Sequence, residues 1–370
     1  MRQTALHDVH EAAGAHMVEF GGWHMPVQYG PILDEVRAVG EAAGLFDLSH
    51  MGRLRLRGPD AVALADRLLT NFVAKIPVGA IRYSLLCRED GFPIDDLLVY
   101  REEEDVYLVV NASNTGACID WIRGNADRAQ ARLSDETDSS AMVAVQGPRA
   151  LEILSETFSG LGTKDGRLES LGYCRFAFRT FLGLPNVRVS RTGYTGENGF
   201  ELYFPTDQAE RVWRKLLEFG EGVGLRPIGL GARDVLRLEA GMPLYGHEID
   251  GEHDPLEAGL AFGVSFDEAK GDWIGRSALA ARRAAPTRRL VGLTSDGKRV
   301  PRQGTPVFHG DEEVGAVCSG APSPTLGKNI ATAYVRLGSD AVGTALDVDF
   351  RGKRQACTVV DLPFYSRTRK

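Results

Sequence analysis

The stretch Arg191-Thr-Gly-Tyr-Thr-Gly-Glu-Asn-Gly-Phe-Glu201, answered downstream by Gly229-Leu-Gly-Ala-Arg-Asp234, decides how the rest of the chain is read. Val187 and Val189 alternate before it, and Phe200, Leu202 and Phe204 alternate after it. That period of two predicts a β-hairpin with a long, glycine-rich loop. Gly193, Gly196 and Gly199 relax the backbone torsions and let a ligand approach the main chain. A dinucleotide-binding glycine loop would open a helix directly behind a strand, and a phosphate loop would carry a lysine; this loop does neither. With its tyrosine, its carboxylates and the downstream arginine, the pair of segments describes a pocket for a flat, polar, partly anionic heterocycle. Glycines that only shape a turn are the competing reading.

Composition bounds the answer. The chain has 370 residues, 43% hydrophobic and 25% charged, which is a soluble globular profile with room for two or three domains. The net charge of −7 and pI near 5.7 argue against nucleic acid as a partner. No apolar run is long enough to span a bilayer, and the first residues carry no apolar signal core, so no membrane is expected and cytoplasm is the expected compartment. The five cysteines are far apart and mostly flanked by apolar residues, as free thiols in a reducing compartment would be. His7 and His10 are the closest pair of the eight histidines and bring no cysteine or carboxylate cluster with them, so no metal site is expected.

Helix and strand signals alternate through the first two-thirds. Ile32, Val36 and Val39 recur at helical spacing, with Gly44 read as the stop. Pro59 precedes a second apolar helix, and Asp207 with Glu210 resembles a capping box ahead of a helix that ends near Gly220. Leu230 to Ala240 is read as a helix closed by Gly241, with Arg233 and Arg237 on one face. From 285 onward come only short strands, with turns at Gly310-Asp311 and Gly352-Lys353, which predicts a small β-barrel or sandwich at 285–370.

A second constellation is Gly91-Phe-Pro-Ile-Asp-Asp-Leu-Leu-Val-Tyr100. Neighbouring strand residues face opposite ways, so Asp95 and Asp96 face opposite sides of the sheet. A carboxylate on a covered face is costly without a partner. Asp95 is read as a turn-shaping acceptor and Asp96 as the functional carboxylate.

Together with Phe20-Gly-Gly-Trp-His-Met-Pro26, Gly44-Leu-Phe-Asp-Leu-Ser-His-Met-Gly52, Gln146-Gly-Pro148 and Ser319-Gly-Ala-Pro-Ser-Pro-Thr325, these segments make the whole chain resemble the aminomethyltransferases of the glycine cleavage system, the T-protein family. The resemblance implies an α+β fold: a three-domain ring of two ferredoxin-like α/β domains with interleaved segments, residues 1–280, plus a C-terminal β-barrel, residues 285–370. It implies transfer of the methylene carbon of an aminomethyl group from the lipoyl arm of H-protein to tetrahydrofolate. Ammonia is released and 5,10-methylenetetrahydrofolate is formed, without a metal. It makes Asp96 the catalytic aspartate, which orients the folate N10 and stabilises positive charge as ammonia departs. Glu201 matches the folate-binding glutamate, whose carboxylate can accept the adjacent pterin N–H and NH2 donors together. Arg233 matches the folate-contacting arginine. Tyr83 and Tyr194 match aromatic pocket residues, and Asn111 aligns beside them.

The resemblance also puts Met242 and Phe262 in the pocket, Met242 where some relatives carry an aromatic and Phe262 in place of a frequent tryptophan, and Phe92-Pro93 interrupts what is often a Gly-Gly turn. Arg367, in the basic segment Ser366-Arg-Thr-Arg-Lys370, is read either as a solvated tail or as a guide for the acidic carrier and its lipoyl arm. Folate-dependent demethylases and a non-catalytic folate-binding assembly factor remain as alternatives. The intact Asp-Asp-Leu segment favours the aminomethyltransferase.

Overall fold

A computed structural model describes residues 1–127, 129–157 and 168–367. Its β structure falls into two sheets, a barrel and one small N-terminal hairpin. The first sheet has five antiparallel strands in the order Ile81–Cys87, Pro93–Arg101, Val106–Val110, Gly52–Arg57 and Arg132–Asp135. Leu54, Leu56, Leu97, Val99, Leu108 and Val110 alternate onto one face, where helices Ala61–Leu68 and Thr115–Gly124 cover them.

The second sheet has six strands in the order Phe176–Phe181, Leu184–Ser190, Gly199–Pro205, Ser140–Gln146, Ala43–Asp47 and Leu225–Pro227. Only its last pair is parallel. Val143, Val145, Leu202 and Phe204 meet Val212, Trp213 and Leu216 of helix Ala209–Gly220 on its covered face. The chain lays down Ala43–Asp47 in this sheet, builds the other sheet, and returns at Ser140. That order is the physical meaning of interleaved segments.

The faces not covered by these helices turn toward each other. Tyr100, Tyr107 and Val109 of the first sheet share a core with Phe46, Met142 and Tyr203 of the second. The Arg188 guanidinium lies inside that aromatic layer, 3.6 Å over the Tyr107 ring, so a charge is accommodated by ring faces and by its ion pair with Glu102.

The last third closes a six-stranded barrel: Arg288–Ser295, Lys328–Arg336, Glu312–Ser323, Pro306–His309, Ala345–Asp349 and Arg354–Val360, which pairs back to the first. Closure leaves no open edge to aggregate. Ala321 and Ile330 of the barrel enter the core between the sheets, and Cys318 and Tyr334 pack with Leu85 and Cys87 of the first sheet. Each of the three units therefore touches the other two, the ring that the resemblance implied.

Two local expectations change. Gly44 does not stop a helix: helix Ile32–Glu41 ends earlier, and Gly44 lies inside strand Ala43–Asp47. A Cβ there would come within 2.5 Å of Ile228 and 2.7 Å of Val39, so glycine is needed for close packing. Asp207 and Glu210 do not form a capping box, since helix Ala209–Gly220 starts from Gln208 with no side-chain cap. Gly241, by contrast, ends helix Leu230–Glu239 at φ +65°, as a C-terminal glycine should.

Candidate functional site

Strand Pro93–Arg101 puts its two aspartates on opposite faces. Asp95 is fully buried beneath helix Thr115–Gly124. It accepts from the Asn111 backbone N–H and side-chain amide, both at 2.8 Å, and from the Asn114 amide at 2.7 Å. Asp96 faces the other way, into a cavity of about 400 Å³. The Tyr83 hydroxyl donates to it at 3.0 Å and the Asn111 amide at 2.8 Å. One Asn111 nitrogen thus bridges both carboxylates, with one hydrogen for each. Burial raises the pKa of both aspartates. For Asp95 the adjacent Asp96 adds to the rise and the amide donors oppose it; for Asp96 the Tyr83 and Asn111 donors oppose it.

Leu48, Met51, Ile81, Leu98, Val109, Met142 and Leu260 give the cavity apolar walls. Opposite the first sheet, Glu201 enters from strand Gly199–Pro205 and is 5% exposed. Thr192 donates to its Oε2 at 2.5 Å, with the Tyr203 and Tyr100 hydroxyls at 3.3 and 3.5 Å. Among the described residues no donor reaches Oε1, which is left for a ligand N–H. Burial raises the Glu201 pKa, against the pull of Thr192 and Arg233. Arg233, from helix Leu230–Glu239, lies 4.3 Å over the Tyr194 ring, and the Tyr194 hydroxyl donates to the Pro243 carbonyl. Burial pushes the Arg233 pKa down, and among the described residues its guanidinium donates to no acceptor.

The glycine loop works differently from its first reading. Only Gly196, at φ +75°, uses the left-handed region. Gly193 and Gly199 instead make room for Gln146, whose amide would lie 1.9 and 2.4 Å from their added Cβ atoms. Gln146 donates to the Thr192 carbonyl at 3.1 Å and accepts from the Thr195 hydroxyl at 3.0 Å. The Gln146-Gly-Pro148 segment therefore holds the loop that places Thr192 and Tyr194.

Tyr83, Asp96, Asn111, Tyr194, Glu201, Arg233, Met242 and Phe262 all line this one cavity. Phe262 is 70% exposed, with its ring 5.3 Å from that of Tyr83, so it forms part of the mouth. Arg367 is not among the lining residues. It packs 5.7 Å over Tyr173, which does line the cavity. Thr368, Arg369 and Lys370 lie outside the described residues. Sequence reasoning missed Arg82, Asn71, Cys174 and Tyr173 as lining residues; single side chains at loop and strand positions carry no spacing signal.

Two clefts of about 560 and 630 Å³ elsewhere are roomier; Arg288, which borders both, is paired with Glu257 at 2.9 Å, while Arg282 at the first packs on the Phe92 ring. The cavity between the sheets is the one that brings Asp96, Glu201 and Arg233 together.

Residues 6–268 match the family model described as the GCVT N-terminal domain, and residues 288–366 match the glycine cleavage T-protein C-terminal barrel domain. The chain belongs to the glycine cleavage T-protein family. An aminomethyltransferase of Symbiobacterium thermophilum is 48% identical over 99% of this chain and 97% of its own length. One from Moorella thermoacetica is 48% identical over 100% and 99%. The crystal structure of glycine cleavage system aminomethyltransferase T from Bartonella henselae superposes with a TM-score of 0.90 at 32% identity, covering 99% of this chain and 98% of that one.

Proposed function

We infer that this chain is the aminomethyltransferase of a glycine cleavage system, with tetrahydrofolate as co-substrate and lipoylated H-protein as carrier. The observation that carries the reading is one apolar cavity with Glu201 and Arg233 on one side and Asp96 on the other, each with unused hydrogen-bonding capacity. A pterin is flat, apolar on its faces and rich in donors on one edge. Glu201 accepts from that edge, Arg233 donates to ring acceptors, and Tyr83 and Tyr194 with Met242 and Phe262 supply apolar and aromatic surface.

In the reaction the S–CH2 and CH2–NH2 bonds of the carrier break, and the carbon bonds to N5 and N10 of tetrahydrofolate. The two N–H protons leave with ammonia and the lipoyl thiol. Asp96 lies where positive charge develops on the one-carbon unit. A carboxylate placed in advance stabilises that charge without reorganisation. Asn111 and Tyr83 hold it in place. We place the division between the folate-binding region, 1–280, and the barrel, 285–370, at the end of helix Arg276–Ala284. We assign the chain to the cytoplasm; no helix among the described residues is long and apolar enough to cross a membrane.

The experiment is ammonia release from aminomethyl-loaded H-protein, with and without tetrahydrofolate. Fast release that needs tetrahydrofolate supports the reading. Demethylation of a methylated amine in its place would transfer the chain to the demethylases on the same scaffold.

A further inference from the structure

We propose that His7, Glu11 and His24 form a binding site for one divalent ion of the zinc class, separate from the folate cavity. His7 and Glu11 are four apart on helix His7–Ala12 and share a face. His24 comes from strand Trp23–Gln28 of the hairpin formed with His16–Phe20. The hairpin brings together residues whose spacing in the sequence gave no metal signal.

His7 Nε2 lies 2.8 Å from His24 Nδ1 and 3.7 Å from the Glu11 carboxylate. All three ligand atoms fall within 4.8 Å of one another, the one such group among the described residues. Ligands of a tetrahedral zinc ion at its usual bond lengths stand roughly 3.4 Å apart. The two distances from Nε2 bracket that value, so to seat an ion the imidazoles would part by ~0.6 Å and the Glu11 carboxylate would close on His7 by ~0.3 Å. Two imidazole nitrogens and one carboxylate suit zinc or nickel rather than calcium or magnesium. Glu11 is half exposed, which gives an entry path and leaves the fourth position to water. The Gln3 amide, 3.3 Å from His7 Nε2, borders the same space.

The support around His7 has the form a metal ligand needs. Its other nitrogen, Nδ1, is 3.0 Å from the Asp8 carboxylate. That contact holds the proton on Nδ1 and directs the Nε2 lone pair toward His24 and Glu11. His10, on the same helix, shows the contrast. Its Nε2 lies 3.1 Å from Asp47 and its Nδ1 2.8 Å from the Tyr29 hydroxyl, so neither nitrogen faces a second imidazole as His7 Nε2 does. None of the three proposed ligands lines the folate cavity. An ion there would clamp the first helix to the hairpin and stiffen the N-terminal segment.

The test is calorimetric titration of the untagged full-length chain with zinc chloride, repeated on His24→Gln and Glu11→Gln. Glu11 is exposed, so its variant does not threaten folding. Binding of one equivalent, weakened at least ~10-fold in either variant and accompanied by a zinc-dependent rise in melting temperature lost in both, is the expected result. Asp8→Asn should weaken binding less than His24→Gln. No stoichiometric uptake, or uptake unchanged in both ligand variants, would overturn the proposal. Transfer activity without metal should be the same for wild type and variants.

Discussion

Arg233 and Arg237 stand one turn apart on the same helix, Arg237 buried and Arg233 half-buried at the cavity wall, and the chain treats them differently. Arg237 uses four of its five N–H donors. It reaches Asp234 at 2.8 Å, Glu248 at 2.9 Å, the Met242 carbonyl at 3.1 Å and Ser319 of the barrel at 2.7 Å. Glu248 in turn accepts from Thr332 at 2.5 Å and from the Leu244 N–H at 2.9 Å. Burial works against the Arg237 charge, yet Glu248 and its neighbours hold its pKa above the ordinary value. Arg233 has only a ring face beneath it and the cavity before it, and its pKa is pushed down. What separates the two is unused hydrogen-bonding valence facing the cavity, which Arg233 keeps and Arg237 does not. The same rule separates Asp95, enclosed by amide donors, from Asp96 on the cavity wall.

The sharpest way to break that comparison is to neutralise Asp96. Asp96→Asn should lower turnover by roughly 10²–10⁴-fold, the range for a lost group of this kind, while tetrahydrofolate affinity changes little. Because its pKa is raised in the folded enzyme, the ionised form is lost as pH falls through a value above the ordinary carboxylate range. Turnover of the wild type should show an acid limb there, and Asp96→Asn should lack it. A pH–rate profile checks both.

The structural arginine is tested by stability. Arg237→Ala leaves Glu248 buried without its partner and should cost about 3–5 kcal/mol in urea unfolding. Arg233→Ala removes a half-buried charge with no acceptor among the described residues, so it should change stability by less than about 1 kcal/mol and act on folate binding instead. Equal losses of stability in the two variants would erase the distinction.

How much of this was legible beforehand follows from the kind of signal each part carries. Apolar alternation is a repeated signal, so strands such as Pro306–His309 could be read directly, while the choice between barrel and sandwich could not, because closure depends on the pairing of the first strand with the last. Asp96 and Glu201 were legible because short motifs surround them. The roles of Gly193 and Gly199 were not, since their partner Gln146 is some fifty residues away and is joined to them only by pairing of Gly199 with Gln146 across the sheet. Gly44 was misread because a stop glycine and a close-packing glycine look alike without the neighbouring Ile228. Arg237 could be placed on a face but not with its full set of partners, because Glu248 lies in the loop 11 residues on and Ser319 in the barrel.

On the proposed folate side, Glu201→Gln would exchange an acceptor for a donor where the pterin edge is proposed to sit. It should weaken tetrahydrofolate binding by about 1.5–3 kcal/mol, measured by calorimetry. The smallest effect belongs to Arg367, which reaches the cavity wall only through Tyr173. Arg367→Ala should raise KM for H-protein by about a few-fold at low salt, with the difference shrinking as salt screens it. Tetrahydrofolate affinity should not move.

The division of labour across the cavity, binding at Glu201 and chemistry at Asp96, is tested most directly by kcat and KM for tetrahydrofolate measured side by side for Glu201→Gln and Asp96→Asn with aminomethyl-loaded H-protein. The account predicts that Glu201→Gln raises KM roughly tenfold or more and recovers most of kcat at saturating tetrahydrofolate, whereas Asp96→Asn keeps KM and loses kcat. The reverse pattern, or a loss of kcat at unchanged KM in both variants, would contradict it.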